Sequence, residues 1–149
     1  MSENPQISFT LEQQEDFAFL LRFDGGLAPL LADEPPPLGK GAGPNPERLL
    51  LAGIANCLSA SLLFALRKYK NQPGRIVTSV SASNVRNAAG RLRVGGVKVS
   101  IRIDSPAAEL QHLERTLAQF EDFCVVTQSV RDGIDVEVRV LDASGAVLK

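Results

Sequence analysis

Apolar and polar residues alternate along residues 6–32 of the chain. The alternation predicts three short strands, with their apolar positions at Ile7–Leu11, Phe17–Leu21 and Leu27–Leu31. Two polar segments between them, Glu12–Asp16 and Asp24–Gly26, are typical of turns. We therefore predict an antiparallel β meander at the start of the chain.

Residues 33–45 have the composition of a linker, in which the rigid Pro35–Pro37 precedes a mobile glycine-rich run, Gly39–Gly43. The glycine spacing is superficially similar to that of phosphate-binding loops. A strand should precede such a loop and a GK[ST] sequence should close it, and neither is present. A nucleotide site is therefore not expected.

A long helix is predicted after the linker. Asn45 can cap it, Pro46 is tolerated at the first helical position, and Glu47 suits the positive end of the helix dipole. From residue 48 to 66 the segment is apolar on nearly every face, which is typical of a helix that is buried on every face. Its length approaches that of a membrane span, but polar residues at mid-span, such as Asn56 and Ser59, favour a core helix. Such burial takes a sheet on one side and often a second subunit on the other.

The rest of the chain mixes strands and helices. Period-two alternation predicts strands from Ile76 to Ala82 and from Leu92 to Ile103, joined by a turn at Asn87–Gly90. Asp104–Pro106 should open a second helix, whose apolar face comprises Leu110, Leu113, Leu117 and Phe120. His112 falls outside that face and is expected at the surface.

A short helix around Phe123–Val130 is predicted next, with a glycine stop at Gly133, and Ile134–Leu141 alternate as a last strand. The element order predicts an α+β protein with a single domain over residues 1–149. Its parts are a meander (1–32), a linker (33–45) and a helix–strand–strand–helix–helix–strand segment (46–149).

Composition narrows the functional classes. The chain has 149 residues, 44% of them hydrophobic and 22% charged, as expected for one globular domain. Lys and Arg number 16 against 17 Asp and Glu, so no basic surface for nucleic acid or anionic lipid is expected. The N-terminus lacks the features of a signal peptide, and we expect a cytoplasmic protein. A histidine-based metal site or Ser–His relay would depend on His112, the one histidine.

Cys57 and Cys124 are the two cysteines. Two are too few for a disulfide framework, and in a reducing compartment such a pair is either inert packing or redox chemistry. Free cysteine often packs as a small hydrophobe. An ordinary thiol, with a pKa near 8.5, is only about 3% thiolate at pH 7. A reactive Cys57 therefore needs a positive neighbour such as an arginine from another segment, and Cys124 could use a helix N-terminus.

Two segments resemble the signatures of the OsmC/Ohr family, the osmotically inducible and organic hydroperoxide resistance proteins. The first runs from Asp33-Glu34-Pro35 through the glycine-rich loop to Gly43–Leu50 and Ala52–Leu58. The second is Phe123–Thr127, followed by Arg131, Gly133 and Ile134–Val136. The resemblance covers nearly the whole chain in element order and is strongest to the general OsmC-like branch.

The resemblance implies roles for individual residues. Cys57 matches the family's peroxidatic cysteine, and Cys124 matches its disulfide partner. Glu47, ten positions before Cys57, matches the acidic residue that orients a catalytic arginine. Arg22 is the residue that could match that arginine, with an exposed strand residue as the alternative. Val125 departs from the family, which often has proline after the cysteine.

The resemblance also implies a function and an assembly. The implied protein is an intertwined homodimer in which strands from both chains enclose two long helices. It is a cysteine-based peroxidase that reduces organic hydroperoxides, and hydrogen peroxide more weakly, with an external dithiol as reductant and no metal or organic cofactor. The alternative is a non-catalytic or slow-thiol protein of the same fold that binds a small hydrophobic ligand at the dimer groove. A missing arginine beside Cys57 would favour that alternative.

Overall fold

The computed structural model describes residues 4–133 and residue 139. The strands are β1 (Phe9–Glu15), β2 (Ala18–Phe23), β3 (Leu30–Ala32), β4 (Ile76–Arg86) and β5 (Leu92–Ile103). The α-helices are α1 (Pro46–Lys68), α2 (Leu113–Gln119) and α3 (Val125–Asp132). Short 3-10 helices at Ala107–Glu109 and Phe120–Phe123 precede α2 and α3. The predicted α+β class is confirmed, and the predicted last strand at Ile134–Leu141 lies outside the described residues.

The contacts of the chain divide it into two compact units. The first comprises the described residues up to Ala55 together with Thr78–Ile101. The second comprises Asn56–Val77 together with the described residues from Arg102 onwards. Strands β4 and β5 pair as a two-stranded sheet. Both units include residues of this sheet and of helix α1. The single-domain assignment stays a prediction.

The N-terminal meander is an antiparallel sheet in the order β1-β2-β3. Leu11 pairs with Leu21, and the Phe9 and Phe23 rings lie 5.0 Å apart between centroids. The turn predicted at Glu12–Asp16 is wrong, because β1 continues to Glu15 and the chain reverses at Asp16 and Phe17. Every residue of β1 is exposed, so the polar residues that suggested a turn meet no burial cost in the strand.

The predicted linker is a tightly folded loop rather than a mobile segment. The Asp33 carboxylate, with 4% of the residue exposed, accepts the N–H groups of Lys40 at 3.1 Å and Ala42 at 3.0 Å. A Cβ atom added to Gly39 would overlap the backbone of Glu34. Glycine is therefore required where the loop folds back against itself.

Helix α1 begins where the sequence predicted. Asn45 Oδ1 accepts the Arg48 N–H at 3.2 Å, which satisfies one of the free donors of the first turn. Leu66 is completely buried, whereas 42% of Leu50 and 61% of Phe64 are exposed. Within one chain, the helix is therefore buried on only part of its surface. The predicted burial of its other faces by a second subunit stays a prediction.

Helix α1 is also the one helix in the described part of the chain that is long and apolar enough to cross a membrane. The core helix of a soluble protein passes the same test, so this property alone decides nothing. Of its most apolar stretch, 33% is buried within the chain.

The second predicted helix is wrong in its extent. Pro106 begins only one 3-10 turn, and Leu110 follows it in an extended conformation. His112 is left-handed, with a φ of 54°, and α2 starts only after it. Leu110 therefore cannot share a helix face with Leu117, which is half exposed. His112 is exposed as expected, with its ring 4.7 Å from that of Tyr69 between centroids.

Hydrogen bonds tie the extended segment before α2 to the segment that follows α1. Asn71 donates from its amide nitrogen to the Gln111 carbonyl at 2.9 Å. Its amide oxygen accepts the Gln111 N–H at 2.7 Å. Since Asn71 is buried, this amide pair fixes the chain that leads to α2 within the second unit.

Candidate functional site

The two cysteines lie together in the second compact unit. Cys57, midway along α1, is partly exposed, and its thiol is within hydrogen-bonding contact of Cys124. Cys124 immediately precedes α3 and is completely buried. Both are free thiols. Residues 67 positions apart in the sequence are thus brought into contact.

Cys124 is the N-cap of α3, a position usually held by Ser, Thr, Asp or Asn. Its backbone is extended, and its sulfur accepts the Thr127 N–H at 3.4 Å. The Cys124 thiol donates to the Thr127 hydroxyl oxygen at 2.9 Å. The hydroxyl of Ser61, one turn after Cys57 on α1, also hydrogen-bonds to Cys124.

The surroundings of the two thiols have opposite effects on their pKa values. Burial, and then the hydrogen bond to Cys124, raises the pKa of Cys57, and the N–H groups of Val126 and Val125 oppose this without cancelling it. Burial also raises the pKa of Cys124. There, hydrogen bonds from Cys57 and Thr127 outweigh it, and the pKa of Cys124 is lowered. These hydrogen bonds therefore favour the thiolate of Cys124 over that of Cys57.

Arg22 and Glu47 belong to the first unit, whereas both thiols belong to the second. The Arg22 guanidinium is exposed, and its Nε lies 3.5 Å from the Glu12 carboxylate. It occupies an exposed position on β2, which is the alternative expected from the sequence.

Glu47 stands in the first turn of α1, held by two amides. Asn45 donates to Glu47 Oε2 at 2.6 Å and Asn84 to Oε1 at 3.4 Å. A cleft of about 470 Å³ adjoins these groups and is lined by residues of α1 and β4, including Arg48. Glu47 is therefore a fixed carboxylate beside an open cleft in the first unit.

Sequence reasoning missed Thr127 and Ser61. A signal was present for Thr127, because it lies three residues after Cys124. The residue three positions after an N-cap commonly donates its N–H to the N-cap side chain. Ser61, four positions after Cys57, shares its helix face. Among residues 4–133 and 139, no group of three or more His, Cys, Asp or Glu side chains could hold a metal ion.

The structure is thus that of an α+β protein with two free thiols in contact. One thiol lies on a long helix, and the other is the N-cap of a short helix. A family model described as OsmC-like protein matches residues 39–139. The chain belongs to this OsmC-like family.

Solved structures share the fold. An OsmC-like protein from Mycoplasma pneumoniae is similar with a TM-score of 0.70 and 16% identity, covering 87% of this chain and 89% of that one. An organic hydroperoxide resistance protein from Elizabethkingia anophelis is similar with a TM-score of 0.66 and 19% identity, covering 91% of this chain and 95% of that one. OhrB of Bacillus subtilis, also an organic hydroperoxide resistance protein, has a TM-score of 0.60 and 21% identity, covering 89% of this chain and 95% of that one. No curated protein matches the chain by sequence.

Proposed function

We propose that this protein is a thiol-dependent peroxidase that reduces organic hydroperoxides, and hydrogen peroxide more weakly. Cys57 is the reacting thiol, and Cys124 is its disulfide partner. The observation that carries the proposal is the contact between the two thiols across α1 and the start of α3. Membership of the OsmC-like family supports it, as do structural relatives named organic hydroperoxide resistance proteins.

The difference in burial supports this division of roles. A peroxide must reach the attacking sulfur, and Cys57 is partly exposed. Cys124 has no exposed surface, so it can meet an oxidised Cys57 but not a dissolved substrate. A buried partner also limits further oxidation, because it condenses with the first oxidised species on contact.

The reaction proceeds in two steps. The Cys57 thiolate attacks one peroxide oxygen, the O–O bond breaks, and the alkoxide takes up a proton and leaves as an alcohol, giving a sulfenic acid at Cys57. The Cys124 thiolate then attacks the Cys57 sulfur and displaces hydroxide, which becomes water. An external dithiol reduces the resulting disulfide by thiol–disulfide exchange.

The assembly belongs to the same proposal. We take the protein to be a cytoplasmic homodimer without a metal or organic cofactor, which binds neither nucleic acid nor membrane. The exposed apolar side chains of Leu50 and Phe64 on α1 support a second copy, because a helix this apolar leaves much of its surface uncovered in one chain. Glu47, with Arg22 as the candidate arginine, would then act on the Cys57 of the other chain.

A second function is favoured by one observation. The raised pKa of Cys57 disfavours its thiolate at neutral pH, as expected for a slow thiol. In that case, the fold would serve to bind a small hydrophobic ligand at the dimer groove. Peroxide consumption distinguishes the two functions.

The test is the loss of cumene hydroperoxide, in slight excess, on mixing with reduced wild type, Cys57→Ser or Cys124→Ser. Wild type should consume one equivalent and stop unless a dithiol is supplied. Cys57→Ser should consume none, because it lacks the exposed thiol. Cys124→Ser should react once and then stall or overoxidise. Equal consumption by wild type and Cys57→Ser would exclude the proposed role of Cys57.

A further inference from the structure

The environment of Cys124 is unusual for a buried cysteine. A cysteine that packs only as a small hydrophobe needs no polar neighbours. Cys124 is completely buried, yet its sulfur contacts the N–H and the hydroxyl of Thr127, the hydroxyl of Ser61 and the thiol of Cys57. Thr127 and Ser61 are themselves only 6% exposed. The Thr127 N–H contact is explained by the N-cap position of Cys124. The two hydroxyls and the Cys57 thiol are not needed by a sulfur that only fills space and caps a helix.

Charged side chains do not explain this arrangement. Cys57 is the titratable group that faces the buried sulfur from α1. On the segment of Cys124 itself, the Glu121 carboxylate is paired with Arg131 at 2.6 Å. The remaining carboxylates of that segment are on exposed residues, Asp122 and Asp132. The polar contacts with the sulfur therefore come from neutral donors.

We propose that Thr127 is a positioning residue for disulfide formation, with Ser61 in support: together they hold Cys124 as a thiolate directed at Cys57. This inference rests on the proposed function. In the thiol form, Cys124 donates to Thr127 Oγ1, as the structure has it. In the thiolate form, the same hydroxyl reverses and donates to the sulfur, while the Thr127 N–H donates in both forms.

The step that Thr127 assists is the second half of the reaction. A lone pair of the Cys124 thiolate forms the S–S bond as the S–O bond of the Cys57 sulfenic acid breaks. Hydroxide leaves and takes up a proton to become water. Cys124 is oxidised and Cys57 is reduced, so no further reagent is needed. The rate depends on the thiolate fraction of Cys124, because only the thiolate attacks.

The first test titrates the reduced protein by the ultraviolet absorbance of its thiolates. Thr127→Val keeps the size of the side chain and the N–H but removes the hydroxyl. We expect it to raise the first midpoint by about one pH unit, which lowers the thiolate fraction about tenfold at any pH below that midpoint. Thr127→Ser should restore the wild-type midpoint. Ser129→Ala, which removes another hydroxyl of α3, should match wild type.

An unchanged midpoint in Thr127→Val would overturn the inference, and this measurement needs no peroxide. If Thr127→Val does not fold, Ser61→Ala removes the other hydroxyl and should raise the same midpoint. In that case an unchanged titration of Ser61→Ala would overturn the inference.

The second test separates this inference from the proposed function. In a fixed excess of hydroperoxide, at a pH below the first midpoint, the ratio of sulfinic Cys57 to disulfide should be about threefold higher in Thr127→Val than in wild type. The smaller thiolate fraction of Cys124 slows disulfide formation, and the greater nucleophilicity of a thiolate of higher pKa offsets part of that loss. Thr127→Ser should return the ratio to that of wild type. A wild type that consumes no peroxide would contradict the proposed function, while the thiolate titration would still decide the role of Thr127. A wild type that reacts, with the same product ratio in Thr127→Val, would contradict the role of Thr127 alone.

Discussion

Ionisation of Cys57 should control the first reaction with peroxide. Burial and the hydrogen bond to Cys124 raise the pKa of Cys57. An ordinary cysteine has a pKa near 8.5, so Cys57 should be largely a thiol throughout the neutral range. Below its pKa, each pH unit changes the thiolate fraction about tenfold. We therefore expect the rate constant of the first reaction to rise about a hundredfold between pH 6 and pH 8.

The assay mixes reduced protein with one equivalent of cumene hydroperoxide and stops the reaction with acid at measured times. Cys124→Ala is the matched variant. In this variant, the rise of the rate constant with pH should move to lower pH. The hydrogen bond with Cys124 and the charge repulsion from it both raise the pKa of Cys57, and both disappear with the second thiol. A rate that does not change between pH 6 and pH 8 in wild type would refute this reasoning. A fast and constant rate would mean that a positive group already ionises Cys57, and Arg22→Gln would then test whether Arg22 supplies it.

The core, the loop and the assembly each give a further prediction. Leu66→Ala should lower the free energy of unfolding by about 2–5 kcal/mol, because Leu66 is completely buried. Leu50→Ala on the same helix should lower the free energy of unfolding by less, because Leu50 is 42% exposed. Equal decreases for the two variants, measured by urea denaturation, would contradict this burial pattern. Asp33→Asn should lower the melting temperature at pH 7. Backbone N–H groups, that of Ala42 above all, hold the pKa of Asp33 below its usual value, so its contribution is complete above about pH 4 and is lost as the pH falls through the folded-state pKa. The difference from wild type should therefore shrink in melts at lower pH, and a constant difference would exclude this role. Finally, co-refolding inactive Cys57→Ser with Glu47→Ala chains should recover about a quarter of wild-type activity if each site is built from both chains. No recovery is expected if Glu47 acts on its own chain, and Glu47→Ala alone must be inactive for the comparison to hold.

Local signals account for the parts of the fold that the sequence predicted well. The start of α1 depends on Asn45 and the residues beside it, and the end of α3 depends on Gly133, whose φ of 79° suits glycine. Such features are set within a few residues. The two long strands β4 and β5 and the turn between them likewise follow from alternation and from the Asn87–Gly90 segment.

Longer-range contacts account for the errors. The loop after β3 looks mobile by composition, but Asp33 closes it through N–H groups seven and nine positions away. The apolar spacing of Leu110 and Leu117 suggests one helix, but the left-handed His112 interrupts it. Neither effect is visible in the periodicity of the sequence.

The candidate site was predictable only in part. Both cysteines follow from the sequence signatures, and their contact agrees with the expected pairing. The parts played by Thr127 and Ser61 depend on how α1 packs against the start of α3, which no local pattern encodes. The roles of Glu47 and Arg22 stay predictions.

Disulfide formation between Cys57 and Cys124 is the most direct test of the account. A disulfide requires the two Cα atoms to approach within about 7 Å, and the contact between the thiols agrees with that requirement. The measurement is peptide mapping by mass spectrometry under non-reducing conditions after one equivalent of organic hydroperoxide. We predict one linked peptide pair that contains Cys57 and Cys124 and separates on reduction. Sulfinic Cys57 together with a free Cys124 thiol in wild type would contradict it.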